Sequence, residues 1–288
     1  MAENEFPKKL LIYAHIDEYC VDVILKNKFV VTDPTEGFND PLDCYFEFGF
    51  VGWDKERLFE QLMGIFISKI GKALSDLTQK NHNDIDREKK RLNSLPESIL
   101  KKELSDYSTK IVRKSLSTFL RIRCFSALNV EKTLNNVLFS HYGDSHKGLC
   151  YIFDTQKLIP IPSRQSLIKK VRYCCKPASI EYKKPDDYSQ EELNKIGYDM
   201  ISIKYQDWKY EEEWRLPVDA EFPHRIHETM EFPLNALEGI VLGLNATKDD
   251  EERTMKLVQK RAAKVNIYRA SRIFESFELQ YEGNPKLT

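Results

Sequence analysis

The sequence predicts an α+β fold whose core is a mixed, largely antiparallel sheet with one inserted helical hairpin. Three observations predict it. Short apolar runs rich in aromatic and β-branched residues alternate with turn-forming clusters over most of the chain. Residues 54–118 instead repeat leucine and isoleucine at helical spacing, which predicts the helical insertion. A strand, a glycine and a capped helix follow one another at 237–263, so the core domain, 1–53 and 119–288, is predicted to finish in a βαβ-like unit.

Hydrophobic patterning predicts the elements of the core in order. The apolar run at 8–16 predicts a buried first strand, and Asp17 is placed to cap a helix that ends near Lys26. Short β-prone runs at 29–32 and 45–51 predict the next two strands. Later strands are predicted at 121–126, 149–154, 171–174, 208–218, 237–243, 266–270 and 274–281, and helices with Ser189 and Thr247 as N-caps at 185–199 and 248–263.

Composition narrows the classes of function. The chain has 288 residues, 41% of them hydrophobic, and a net charge of only -1, so no general electrostatic attraction to nucleic acid or anionic membranes is expected. No run of eighteen apolar residues predicts a membrane span, and the acidic start without an apolar segment predicts no secretory signal and a cytoplasmic protein. The six cysteines lack CxxC spacing, which predicts free thiols and no metal site.

The first of three unusual blocks is FNDPLDC at 38–44. Asparagine and aspartate side chains bond nearby backbone amides, and proline disfavours helix at the residue before it, so the block predicts a turn. One interpretation is a well-capped turn with no further role. The other is that Asn39 and Asp43 present polar groups to a ligand beside Phe38.

The second block is SHYGDSHKG at 140–148, which predicts a tight loop carrying His141 and His146. Histidine titrates near neutral pH and both donates and accepts protons, so either residue is a candidate for acid–base chemistry. Gly143 and Gly148 allow the backbone to approach a ligand closely. The structural alternative is that both histidines bond backbone carbonyls within the loop.

The third block is YEEEWR at 210–215. If the block is a strand, its period of two places Glu211 and Glu213 on one face beside Arg215. Such a pair can supply a general base and an acceptor for a sugar hydroxyl, or the fixed charge that an oxocarbenium ion needs. The alternative is an edge strand with exposed charges, although the neighbouring Trp208 and Trp214 favour burial. We expect the three blocks to converge on one polar pocket.

Taken together, the blocks resemble an uncharacterised bacterial domain family with the pattern FNDPxDC, then HYxxxHxG before a strand, then K…W…YExEWR. The last part matches Lys204, Trp208 and 210–215 here. The resemblance spans roughly 10–260, apart from the helical insertion. It implies a shared fold and carries no established activity.

The opening YAHID at 13–17, with the helix and strand after it, resembles the start of ADP-ribosyltransferase folds. In those folds an early side chain holds NAD, a middle strand packs on the nicotinamide and a late glutamate is catalytic. The resemblance implies that these positions are filled by His15 or Tyr13, by Ser140, His141 or Tyr142, and by Glu211 or Glu213.

The function expected from that resemblance is an NAD-dependent ADP-ribosyltransferase, a bacterial toxin or phage-defence effector that modifies a protein or nucleic acid. NAD is then the substrate. The candidate catalytic residues are Glu213, Glu211 and His141, and the candidate cofactor-binding residues are Tyr13, His15, Asn39, Tyr142, His146 and Arg215.

Two other functions stay open at this point. One is a module that binds a small nucleotide without turnover, with Arg215 and Lys147 meeting its phosphate. The other is a hydrolase or nuclease that uses His141 and His146 together with Glu213.

Overall fold

The computed structural model describes residues 6–73, 79–128, 133–158, 168–183, 187–222 and 224–283. The side chains at 70–82 and 283 are not described. The chain divides into a first unit, Met1–Asp43, Ser117–Cys175 and Ser202–Thr288, and a second unit, Cys44–Leu116 and Lys176–Ile201.

Most of the described strands lie in the first unit, and two lie in the second. In chain order they are β1 (Lys9–Ala14), β2 (Lys28–Thr32), β3 (Phe46–Gly49), β4 (Leu120–Ala127), β5 (Thr133–Leu134), β6 (Leu149–Asp154), β7 (Lys169–Lys170), β8 (Arg172–Cys174), β9 (Ala178–Glu181), β10 (Ile203–Tyr205), β11 (Glu213–Asp219), β12 (His227–Glu231), β13 (Leu237–Leu242), β14 (Asn266–Arg272) and β15 (Leu279–Gly283).

Helices occur in both units. They are α1 (Tyr19–Lys26), α2 (Lys55–Ala73), α3 (Gln79–Ser94), α4 (Glu97–Phe119), α5 (Asn136–Tyr142), α6 (Thr155–Leu158), α7 (Gln190–Ser202) and α8 (Lys248–Gln259), with a 3-10 helix at Gln206–Glu211. None of those described is both long and apolar enough to cross a bilayer.

The sheet of the first unit has the order β12-β2-β4-β1-β6-β13-β14-β15-β5, and β11 pairs with β4 and with β7. Its pairs are antiparallel except for β13 with β14, which α8 connects. The predicted α+β class with a mixed, largely antiparallel sheet is therefore confirmed.

The core of the first unit surrounds β6, which lies between β1 and β13. Its residues from Leu149 to Phe153 are all buried. Because side chains alternate along a strand, Leu149, Tyr151 and Phe153 join one apolar cluster, while Cys150 and Ile152 join another. A continuous apolar run is the expected sequence of a strand covered on both faces.

Strand β4 opens the sheet at one point. Strand β11 pairs along one side of it from Leu120 to Ser126. On the other side Ile122 pairs with Thr32 of β2, and Ser126 pairs with Leu11 of β1. Among the described residues, 123–125 have no paired partner on that side. We call this opening between β1 and β2 the sheet cleft.

The second unit is mainly helical. Leucines from α2, α3 and α4 pack with Phe50 and Trp53 in one apolar cluster, and β3 pairs in parallel with β9. The predicted insertion, 54–118, holds three helices rather than a hairpin of two; residues 74–78 lie outside the described part. The extra helix, α3, has few apolar residues, so helical periodicity in hydrophobicity did not reveal it.

Two predicted helix starts are confirmed by their capping bonds. Ser189 Oγ accepts from Glu192 N at 3.2 Å, and Glu192 Oε2 accepts from Ser189 N at 2.9 Å. Thr247 makes the same reciprocal arrangement with Asp250. Caps of this kind depend on residues three apart, which is why local sequence predicts them.

Candidate functional site

The third block is not one continuous strand, and that prediction is wrong. The 3-10 helix ends at Glu211, Glu212 takes a left-handed conformation with φ of 46°, and β11 begins at Glu213. Contacts with distant segments favour this turn, because Ser126 Oγ donates to the Glu211 carbonyl at 2.7 Å and Ala127 N donates to the Glu212 carbonyl at 3.2 Å. The turn, rather than strand alternation, aims Glu211 and Glu213 at the same place.

Glu211 and Glu213 belong to a buried set of five charged side chains. We call it the charge cluster: Asp43, Lys204, Glu211, Glu213 and Arg215. Lys204 Nζ lies 2.6 Å from Glu211 Oε2, 3.0 Å from Glu213 Oε2 and 3.3 Å from Asp43 Oδ2. Arg215 Nε donates to Glu213 Oε1 at 2.7 Å, and its Nη2 lies 2.8 Å from both oxygens of Asp43. Three carboxylates thus share two cations.

The two glutamates of the charge cluster are tuned in opposite directions. Burial raises the pKa of Glu213, but Arg215 and Lys204 outweigh it and hold that pKa well below its usual range. Burial also raises the pKa of Glu211, and here Lys204 does not outweigh it, so the pKa stays above its ordinary value. Glu213 is therefore a fixed negative charge, whereas Glu211 is the carboxylate better suited to take up and release a proton.

Tyr142 connects the second block to the charge cluster. Its hydroxyl donates to Glu211 Oε1 at 2.7 Å and accepts from Asn39 Nδ2 at 3.1 Å. Burial and the nearby Glu211 charge raise the pKa of Tyr142, which keeps its hydroxyl protonated as a donor. Tyr142 lies at the end of α5, whose N-terminus is capped by Asn135 Oδ1. All three sequence blocks thus meet through Asn39, Tyr142 and Glu211.

A cavity of about 340 Å³ opens beside these residues. It lies at the sheet cleft and is lined by parts of β1, β2 and β4, including Tyr13, Thr32 and 122–126. Lys204 and the three carboxylates of the charge cluster line the same space. This volume is at the lower end of the usual range for small-molecule sites, about 300–1,000 Å³.

Aromatic rings cover the two cations of the charge cluster. The ring centre of Phe38 lies 5.1 Å from Arg215 Cζ, and that of Trp208 lies 5.0 Å from Lys204 Nζ. Trp208 Nε1 also donates to Asp40 Oδ2 at 2.8 Å. The turn of the first block therefore supports the cluster from outside, and Phe38 forms part of the cavity wall.

The predicted histidines lie away from the cavity. His15 and His141 are exposed, and neither lines it. His141 closes helix α5 instead of lying in a loop, and its Nδ1 is 3.2 Å from the Tyr210 hydroxyl. The resemblance to ADP-ribosyltransferase folds implied a middle strand at Ser140–Tyr142, whereas the structure has helix α5 there. His146 stacks on Phe139 with ring centres 5.7 Å apart.

The ligand-binding roles predicted for Tyr13, Gly148 and Arg215 are not what their contacts favour. Tyr13 lines the cavity, but its hydroxyl accepts from Asn135 N at 3.2 Å and burial raises its pKa, which suits a packing role. Gly148 serves close packing rather than ligand approach, since an added Cβ would lie 2.2 Å from the Ala14 carbonyl oxygen of β1. Arg215 is committed to Glu213 and Asp43.

Sequence reasoning gave no site role to Lys204, Arg123 or Tyr173. Lys204 was noted only as part of the family pattern. A signal that could have found it is the expectation that buried carboxylates are paired with cations. Tyr173 accepts a hydrogen bond from Glu213 N at 2.9 Å and so fixes the start of β11. Within the described ranges, no group of three histidine, cysteine or acidic residues is arranged to hold a metal ion.

Part of this site is similar to a known protein family. A search of curated proteins and a search of solved structures each found no match. The model of a family described as protein of unknown function (DUF2971) matches residues 138–216. That segment holds Tyr142, Lys204 and both glutamates of the charge cluster. The predicted resemblance to an uncharacterised domain family is therefore confirmed over this segment.

Proposed function

We propose that the first unit binds NAD and transfers or hydrolyses its ADP-ribosyl group, with Glu211 as the catalytic carboxylate. The observation that carries the proposal is the buried Glu211 side chain, which lines the cavity with a raised pKa and a hydrogen bond from Tyr142. In this reaction the bond between the ribose C1′ and nicotinamide breaks, and its electron pair leaves with nicotinamide. The nucleophile bonds to C1′ and its proton passes to Glu211.

Glu211 suits this role better than Glu213. Both oxygens of Glu213 are held by Arg215 and Lys204, so its charge is already compensated. Glu211 meets one cation and one neutral hydroxyl. A carboxylate has about four acceptor positions, so Glu211 keeps capacity for a ribose hydroxyl. Glu213 then acts as a positioning residue that holds Lys204 in place.

The cavity walls are compatible with a nucleoside portion of NAD. Phe38, Tyr13 and Tyr142 contribute aromatic surface, and Asn39 contributes an amide near the Tyr142 hydroxyl. Aromatic rings with a few polar groups are the usual lining of a site for a flat, polar ligand. In this proposal the protein is a cytoplasmic toxin or phage-defence effector, and the acceptor of the ADP-ribosyl group is a protein or a nucleic acid.

The test is nicotinamide release from NAD by the whole chain, with and without cell lysate or nucleic acid as acceptor. Glu211→Gln is expected to lower the rate on the order of 100-fold, because the carboxylate is lost while the shape is kept. Glu212→Gln is the matched control: Glu212 is adjacent, exposed and outside this cavity lining. Wild-type release no higher than that of Glu211→Gln would reject the proposal.

A second candidate is a nucleotide-binding module without turnover. It is favoured by a different observation, namely that every carboxylate of the charge cluster already contacts Lys204 or Arg215. Such a module predicts that nucleotides raise the unfolding midpoint of wild type and of Glu211→Gln alike, with no product formed. The predicted histidine hydrolase gains no comparable support, because His141 and His146 do not line the cavity with Glu213.

A further inference from the structure

Strand β4 carries two arginines, Arg121 and Arg123, whose surroundings differ sharply. Arg121 is fully buried, and its Nε lies 2.8 Å from Glu228 Oε1. Its two terminal nitrogens donate to the backbone carbonyls of Ser117, Leu120, Phe222 and Arg225. The Arg121 guanidinium thus has a carboxylate beside it and four carbonyl acceptors, although its Nε makes no hydrogen bond.

Arg123 has far fewer partners. Its Nη1 donates to the Val30 carbonyl at 3.0 Å, while its Nε is buried without an acceptor. Over the described ranges, no carboxylate lies within ion-pair distance of it. The rings of Phe29 and Phe125 lie beside it, with centres 5.8 and 5.9 Å from Cζ. Cys124 and Tyr151 are also near enough to raise its pKa, although burial outweighs them.

Such a group is unfavourable in an unliganded protein. Burial lowers the pKa of Arg123 to about 10, so the guanidinium stays charged at neutral pH. A guanidinium has five N–H donors, and a buried charge without a counter-charge is costly. An oxyanion is the partner that satisfies both needs, because its geometry matches the planar guanidinium.

The position of Arg123 makes a ligand the natural source of that oxyanion. Arg123 lines the cavity at the sheet cleft, where β4 lacks a partner between β1 and β2. The carboxylates in the same cavity are held by Lys204 and Arg215. Arg123 therefore lines the cavity from the other face of β4, because its neighbour Cys124 is the residue paired with Arg215 and successive side chains of a strand point to opposite faces.

We infer that Arg123 binds a phosphate group of the ligand, so that the cavity selects phosphorylated nucleotides over the corresponding nucleosides. This inference rests on the proposed nucleotide function and specifies its substrate class. In this inference Glu211 contacts the ribose of the ligand and Arg123 binds its phosphate. Neither free phosphate nor a bare nucleoside satisfies both regions of the cavity.

The test compares binding, without turnover, of two pairs that differ in phosphate: nicotinamide riboside with nicotinamide mononucleotide, and adenosine with ADP. Inorganic phosphate and pyrophosphate are separate arms. Wild type is expected to bind the phosphorylated member about 10- to 100-fold more tightly, the range for hydrogen bonds to a charged group. Arg123→Met is expected to remove this preference while nucleoside affinity changes little, and Arg123→Lys to keep part of it.

Arg225→Met is the control, because Arg225 is an exposed arginine of the first unit. Circular dichroism and the unfolding midpoint establish that each variant folds. If Arg123→Met does not fold, Arg123→Lys and displacement of nicotinamide mononucleotide by pyrophosphate from wild type decide the matter.

Several outcomes would overturn the inference: no phosphate preference in wild type, an undiminished preference in Arg123→Met, or binding of free phosphate equal to that of the nucleotides. The proposed ADP-ribosyl transfer is rejected by different results from those that reject phosphate binding by Arg123. Phosphate selectivity without nicotinamide release keeps this inference and rejects ADP-ribosyl transfer, and release without selectivity does the reverse.

Discussion

The charge cluster of the first unit and the ion pairs of Arg91 on α3 of the second unit use similar contacts in opposite environments. Arg91 donates to both Glu88 and Glu103 at 2.7–2.8 Å, much as Arg215 donates to Glu213 and Asp43. The Arg91 side chain is 44% exposed, whereas that of Arg215 is 0% exposed.

The comparison teaches that burial, and not the number of charges, separates a candidate site from a solvated surface. Water and salt screen the Arg91 pairs, and such pairs typically contribute about 0–1 kcal/mol. Removing one member of a buried network leaves other charges uncompensated and typically costs about 3–5 kcal/mol.

The largest effect is expected from Arg215→Met. The change leaves Asp43 and Glu213 with Lys204 as their remaining cation in the cluster, so we expect a loss of about 3–5 kcal/mol in the free energy of unfolding. Arg91→Met, the same substitution at the surface, is expected to cost about 1 kcal/mol or less. Urea unfolding of both variants measures the difference, and equal losses would contradict the comparison.

Lys204→Met is expected to destabilise the fold by about 3 kcal/mol, because three carboxylates are left with one cation. Adding Glu211→Gln removes one of the unpaired charges, so the double variant is expected to recover part of the loss. The measurement is a double-mutant cycle by urea unfolding. Losses that simply add would mean that Lys204 and Glu211 do not interact in solution.

The pH dependence of stability is expected to differ between the two glutamates. Folding lowers the pKa of Glu213 from 4.5, so its stabilising contribution is present above that value and is lost as the pH falls. Folding raises the pKa of Glu211 from 4.5, so its contribution favours the fold below that value and is lost as the pH rises through the folded pKa.

Urea unfolding between about pH 3 and about pH 8 separates these contributions. Glu213→Gln is expected to flatten the loss of stability on the acid side. Glu211→Gln is expected to flatten the decline that begins above 4.5. Identical pH profiles for the two variants would show that the glutamates are not tuned apart.

The smallest effect is expected from Tyr142→Phe. It removes the hydroxyl that donates to Glu211 Oε1, and one hydrogen bond of this kind contributes roughly 1–2 kcal/mol. Loss of that donor should also raise the pKa of Glu211 further, which shifts the pH profile of any activity upward. Tyr205→Phe at an exposed tyrosine is the control and is expected to change neither quantity.

Much of the fold was predictable because its signals are local. The apolar run at 149–154 predicted β6, and Ser189 and Thr247, as cap residues, predicted two helix starts. Helix α3 was missed because its apolar face is sparse: only Ile85 and Leu92 among its described side chains pack in the apolar cluster. The 3-10 helix before Glu211 was missed because distant hydrogen bonds, such as that from Ser126, favour it over a strand.

Local sequence predicted many of the strands and helices, and it marked three polar blocks as unusual. Residue type and short-range periodicity suffice for that. Which charges are buried and shared depends on long-range contacts, since Arg215 meets Asp43 across 172 positions of the chain. The folded structure also gives Glu211 and Glu213 opposite pKa shifts and leaves Arg123 without a counter-charge among the described residues. Those properties depend on burial and on contacts between distant residues, which no local pattern contains.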